Sequence, residues 1–220
     1  MAIAENLVSI KSTLPKQVTL VAVSKTKPVS DLMQAYEAGQ RIFGENKIQE
    51  MAEKYQEMPK DILWHMIGHV QTNKVKFMAP FVHLIHGVDS LKLLQEIDKQ
   101  AKKNNRIIDC LLQIHIAEEE TKFGLNQEEL IALVSSSLFE EMKNIQIIGL
   151  MGMATFTDDK AQVKKEFSHL KNIFENLQRM NPKNSQLNTI SMGMSGDYQM
   201  AIDCGSTMVR IGSSIFGGRN

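Results

Sequence analysis

Short apolar runs rich in β-branched residues return eight times along the chain, separated by segments of helical spacing or by turn residues. They fall at residues 18–23, 41–43, 63–67, 82–87, 107–116, 145–151, 189–192 and 208–211. A strand that reads as nearly continuous apolar sequence is buried on both faces, and such strands belong to parallel sheets covered by crossover helices. Eight in succession suit a closed barrel better than an open doubly wound sheet. The expected fold is therefore α/β, a single TIM-type (β/α)8 barrel. No Pro/Gly/Ser linker, low-complexity tract or shift of composition divides the chain, so residues 1–220 are expected to form one domain.

The helical segments carry their own punctuation. Ser30 is the expected cap of a helix bearing Leu32, Met33 and Tyr36, with Gly39 as its stop. Ser90 precedes Leu91, Leu94, Ile97 and Ala101, and Asn126, with Glu129 three residues on, precedes Leu130, Leu133 and Val134 as a capping box. Val163, Phe167, Leu170, Phe174 and Leu177 line up as one apolar stripe that needs a sheet to cover. Little sequence follows the eighth run, which leaves no room for a full last helix; the stripe of Ile3, Leu7 and Ile10 is expected to fill that place.

Composition narrows the classes of function. Lys plus Arg and Asp plus Glu are both 25, so no net field favours nucleic acid or an anionic membrane, and a negatively charged ligand must be held locally. Cys110 and Cys204 lie in separate segments in no metal-ligand or CxxC spacing and are expected to be reduced core residues. The N-terminus lacks the basic start and unbroken apolar run of a signal peptide, and no stretch approaches the ~20 apolar residues that span a bilayer. A cytoplasmic protein is expected.

In a β/α barrel the chemistry sits at the carboxyl ends of the strands. Lys25 follows the first strand, either as an ordinary solvated lysine or as a Schiff-base amine kept nucleophilic by desolvation and nearby cations. At the other end of the chain, Ser191 to Asp197 (SMGMSGD) follows the seventh strand and Arg210-Ile-Gly212-Ser213-Ser214 follows the eighth. Either alone is a tight turn; together they suit phosphate, because small residues let backbone N–H groups approach an anion and barrels often bind phosphate after strands seven and eight. His65 and His69 are four apart but at the end of a strand and around Gly68, where that spacing does not converge on one metal, and no metal is expected. Glu118, Glu119 and Glu120 read as a solvated acidic loop, and Met151, Met153, Met192 and Met194 as adaptable core or pocket-lining side chains.

These segments together resemble the pyridoxal phosphate homeostasis proteins (the YggS/PROSC family), single-barrel relatives of the N-terminal domain of alanine racemase. The resemblance runs through VAVSKTKP around Lys25, FGENKIQE around Asn46, WHMIGHVQTNK around His65 and Gln71, TKFGL at residues 121–125, GLMGM at 149–153, SMGMSGD at 191–197 and the closing VRIGSSIFGGR. It implies pyridoxal 5'-phosphate (PLP) as cofactor, with Lys25 as the Schiff-base lysine, Ser195, Gly212 and Ser213 as phosphate contacts and Arg210 as the partner of the pyridine nitrogen. Asn46, Met192 and Phe216 are further pocket candidates. The implied role is PLP buffering or delivery, with apo PLP-dependent enzymes as partners, a monomeric state and no metabolic catalysis. The alternative is a PLP-dependent amino-acid racemase, which needs acid/base groups on both faces of the substrate. Among Tyr36, Tyr55 and Tyr198, none has a placement that marks it as the second base.

Overall fold

The computed structural model describes residues 2–119 and 123–218. Eight strands, β1 (Thr19–Val23), β2 (Ile42–Glu45), β3 (Leu63–Met66), β4 (Leu84–Val88), β5 (Ile108–Ile114), β6 (Ile145–Gly152), β7 (Ser185–Ser191) and β8 (Met208–Ile211), close into one barrel in sequence order. All neighbours are parallel, and β1 pairs with both β2 and β8, so no edge is left open. Among the described residues the helices are α1 (Ile3–Thr13), α2 (Val29–Glu37), α3 (Ile48–Glu57), α4 (Val75–Met78), α5 (Leu91–Lys103), α6 (Gln127–Val134), α7 (Ser137–Glu141), α8 (Lys160–Met180), α9 (Tyr198–Asp203) and α10 (Ser213–Phe216). The fold is the expected TIM-type barrel. No helix among the described residues is long and apolar enough to cross a membrane.

The larger core lies between the strands and the surrounding helices. Phe43 and Trp64 from the sheet and Leu94, Ile97, Phe167 and Leu170 from α5 and α8 are buried there, and each such side chain contributes roughly 1.5–3 kcal/mol. The α8 stripe is buried along its whole length, at Val163, Phe167, Leu170, Phe174 and Leu177. A smaller apolar cluster, Val21, Leu84, Leu111, Met151 and Met208, fills the barrel interior itself.

The caps divide. Ser90 accepts from Leu93 N at 3.3 Å, and Asn126 and Glu129 form the reciprocal box expected of them. Ser30, in contrast, is not a cap: α2 starts at Val29 with Pro28 as its N-cap, because the proline ring presets the extended entry and Ser30 falls inside the first turn. At the C-terminal end α10 is one short turn, and α1 packs beside it. Leu7 of α1 is fully buried, and Asn6 Nδ2 donates to Ile215 O at 3.0 Å. The N-terminal helix thus packs beside the turn that follows the eighth strand.

Candidate functional site

A cavity of about 750 Å³ opens at the carboxyl ends of the strands. Lys25, Asn46, Ser195, Arg210, Gly212 and Ser213 all line it, drawn from the ends of β1, β2, β7 and β8. Met192 does not. Successive residues of a strand point to opposite faces; Ser191 faces the interior, where Arg210 binds it, so Met192 turns outward into the core beneath the helices and is fully buried there. Phe216 is likewise buried in that outer core. The rim gains residues that sequence reasoning passed over as ligand contacts: His69, stacked on Phe123 with ring centroids 4.0 Å apart, Gln113, and the exposed Phe156. Glu120, Thr121 and Lys122 lie outside the described residues.

The turn that presents Lys25 is gripped from behind. Ser24 points away from the cavity and donates to Glu45 Oε1 at 2.6 Å. From α3, Lys54 Nζ donates to Ser24 O at 2.8 Å, to Glu45 Oε1 at 2.7 Å and to Glu50 Oε1 at 2.8 Å, while Glu50 Oε1 accepts the Thr26 N–H at 2.6 Å. The carbonyl before Lys25 and the N–H after it are therefore both tied to one helix. Thr26 has φ 63°, a left-handed conformation that disfavours a β-branched residue and persists only when its surroundings impose it. Burial raises the Glu45 carboxyl above its ordinary pKa, and the ammonium of Lys54 opposes the shift.

Across the mouth, the turns after β7 and β8 meet. Gly212 N donates to Ser195 Oγ at 3.3 Å. A Cβ at Gly212 would lie 3.0 Å from Val23 O and 3.2 Å from Val23 Cβ, so only glycine lets this turn press on the end of β1 without displacing it.

Arg210 lies below this junction and is almost completely buried. Its Nη1 donates to Ser191 O at 2.8 Å and to Ser191 Oγ at 2.6 Å, and its Nη2 donates to Gly152 O at 3.1 Å. Burial pushes its pKa down to about 10, with Asp197 acting in the opposite sense, so the guanidinium stays charged at neutral pH. Behind it a polar chain crosses the interior. Ser191 Oγ is 3.0 Å from His86 Nδ1, and His86 Nε2 is 3.0 Å from His65 Nδ1. His65 Nε2 ends the chain, buried without a protein partner among the described residues. Barrel interiors are ordinarily filled with branched apolar side chains, and a buried polar chain is costly unless it is satisfied. His65 and His69, four residues apart, therefore divide between the interior and the mouth; among the described residues no group of three His, Cys, Asp or Glu is placed to hold a metal ion.

Both interior imidazoles are held neutral. Burial, and secondarily His83, lowers His65 to about 3; burial, then His65 and Arg210, lowers His86 well below 6.5. Such a group costs stability on acidification, because as pH falls through 6.5 the unfolded chain takes up a proton that the folded chain refuses until far lower pH. Each imidazole therefore removes up to about 1.4 kcal/mol per pH unit below 6.5. In thermal melts between pH 7 and pH 5, His86→Gln is expected to show a shallower loss of stability than the parent by about one proton's worth; parallel curves would place His86 in an environment where it protonates freely.

A family model described as "Alanine racemase, N-terminal domain" matches residues 1–220. The pyridoxal phosphate homeostasis protein of Haemophilus influenzae is 40% identical over 206 residues, 92% of this chain and 86% of that protein. Its human namesake is 41% identical over 216 residues, 93% of this chain and 78% of that protein. Among solved structures, PipY of Synechococcus elongatus with PLP bound superposes with a TM-score of 0.89 at 34% identity, covering 98% of this chain and 100% of that one. The alanine racemase of Clostridium difficile in complex with cycloserine superposes with a TM-score of 0.81 at 16% identity over 99% of this chain and 60% of that one, a likeness of fold.

Proposed function

The chain belongs to the alanine racemase N-terminal domain family and, within it, to the pyridoxal phosphate homeostasis proteins; on that premise we propose that it binds PLP as a Schiff base on Lys25 and serves as a carrier of the cofactor rather than as a metabolic catalyst. The observation that carries this reading is the convergence of Lys25, Arg210 and the Ser195–Gly212 junction on one cavity. Bound there, PLP supplies an aldehyde that captures primary amines and a pyridine ring that can take up electron density.

The chain's own residues match those groups in kind. Lys25 supplies the amine, on a turn fixed by α3. Ser195 supplies a hydroxyl, and Gly212 and Ser213 supply backbone N–H groups for the phosphate, with no bulk positive charge required. Three of the five guanidinium N–H groups of Arg210 go to Ser191 and Gly152, which leaves the others for the ring nitrogen. A guanidinium charged at neutral pH can only donate, so it would keep that nitrogen unprotonated and the ring a weak electron sink. Asn46 lines the wall beside Lys25. Met192 supports the barrel wall from outside. One domain, a monomeric state, a cytoplasmic location and apo PLP-dependent enzymes as recipients go with this reading.

The placement of the tyrosines weighs against the racemase alternative. No tyrosine lines the 750 Å³ cavity: Tyr36 donates to Asp61, Tyr55 stacks on Phe81, and the Tyr198 hydroxyl lies 3.1 Å from Thr13 Oγ1. The two readings part in one experiment, in which exchange of the α-proton of L- and D-amino acids with deuterated solvent is followed beside PLP delivery to an apo-enzyme. Delivery without exchange is the expected result. Exchange at about 1 per second or faster, an ordinary enzymatic turnover, would make the protein a catalyst instead.

A further inference from the structure

The hydrogen bonds behind Arg210 have a direction that can be derived from the donors available. His86 sits on β4 and Ser191 on β7, strands separated by β5 and β6 around the closed barrel, so their contact spans the interior. Arg210 can only donate, which makes Ser191 Oγ its acceptor. Two arrangements remain. In the first, the Ser191 hydroxyl donates to His86 Nδ1, and His86 Nε2–H donates to His65 Nδ1. A single group, His65 Nε2–H, is then left without a partner among the described residues. In the second, both imidazoles donate toward Ser191. The serine proton then has no acceptor among the described residues, His65 Nε2 remains a bare lone pair, and two groups go unmet. The second arrangement also aims imidazole donor dipoles at a buried cation. The first aims every donor away from it, so each bond polarises the next and disperses the charge of Arg210.

We propose that Ser191, His86 and His65 are positioning residues for Arg210, a one-way chain of hydrogen bonds that fixes the guanidinium and stabilises its buried charge without a carboxylate in contact. An arginine clamped by an aspartate would have its donors and its charge consumed within the protein. Among the described residues the groups that touch it are neutral, and the one carboxylate that acts on its charge, Asp197, does so without a hydrogen bond to it, so its remaining donors stay available to the cavity. That the beneficiary is the ring nitrogen of PLP rests on the reading given under Proposed function; the chain and its polarity do not.

The test starts with the apo-protein. Nitrogen-15 spectra at neutral pH are expected to show His65 and His86 as neutral Nε2–H tautomers. An Nδ1–H tautomer or an imidazolium at either position overturns the proposal, whatever the protein binds. His86→Gln and His86→Leu then separate polarity from bulk, since a glutamine amide can accept from Ser191 and donate to His65 and leucine can do neither. Solvent exchange of the Arg210 Nε–H should quicken about tenfold in His86→Leu, as for the loss of a supported charged hydrogen bond, and return toward the parent rate in His86→Gln. With PLP added, His86→Leu should bind about tenfold more weakly and shift the absorption maximum of the bound cofactor, with both effects reversed in His86→Gln. Equal behaviour of the parent and both variants, or equal loss in both variants, would reduce the histidines to filler and overturn the proposal. Ser191→Ala breaks the same link by removing one oxygen and supplies these measurements if His86→Leu does not fold. A parent protein that takes up no PLP would sink the cofactor reading, while the tautomers and the Arg210 exchange rate would still decide the chain.

Discussion

Lys25→Ala is expected to remain colourless after incubation with PLP and to incorporate no cofactor on borohydride reduction, while unfolding at nearly the parent temperature. Loss of the covalent adduct should be complete, because the substitution removes the only nitrogen the proposal assigns to it. The fold should tolerate the change. The side chain is partly exposed at the cavity, outside the apolar clusters, so its removal leaves the core packing intact. The instructive competitor is Lys27, which also lines the cavity and whose Nζ donates to Gly218 O at 2.8 Å. Peptide mapping that recovers the reduced cofactor on Lys27 or Lys74 in the parent protein would remove Lys25 from its proposed role and move the site toward the rim.

The largest stability effect is expected at Lys54. Its ammonium is the cationic partner of Glu45, whose side chain is fully buried, and it also holds Ser24 O and Glu50. Lys54→Met strands that carboxylate, and breaking one side of a buried pair typically costs about 3–5 kcal/mol. The pH dependence gives the cause away. A carboxyl whose pKa is raised on folding contributes stability below its unfolded pKa and loses it as pH rises through the folded value, so the variant should recover on acidification. Lys54→Met combined with Glu45→Gln should regain much of the loss at neutral pH. Denaturant melts of the two variants across pH 5 to 8 measure this; a single variant as stable as the parent would mean that the pair is solvated and contributes little. The same loosening should weaken PLP retention, because the backbone on both sides of Lys25 is tied to α3.

The strands were legible because a parallel barrel buries both faces of each one, leaving compact apolar runs. Where polar residues alternate, the reading fell short: β7 begins at Ser185, four residues before its apolar stretch, since its first half is only partly covered. Position pointed to Lys25, Arg210 and the segments that hold Ser195, Gly212 and Ser213, each following a strand whose carboxyl end must face the cavity, while the individual roles came from the resemblance. Met192 lies outside the cavity by parity. The strand runs inward at Ser191, and a one-residue step reverses the face. The histidine chain was out of reach for another reason. His65 and His86 are 21 residues apart, and only the register that sets His65 beside Leu84 brings their rings into contact. Four histidines inside the apolar strand runs, His65, His83, His86 and His115, were the available signal, and inward parity on adjacent strands would have been the way to single out two of them.

The apolar plug of Val21, Leu84, Leu111, Met151 and Met208 turns the barrel from a tunnel into a cup. A cup has one door, so arrival and departure share a single route and compete for it. A recipient that takes PLP directly must stand over the mouth, and while it stands there no free PLP can enter. On the proposed carrier role, handover and reloading would therefore alternate instead of overlapping. Raising free PLP should first speed delivery by keeping the cup full and then slow it, as incoming cofactor contests the doorway with the recipient.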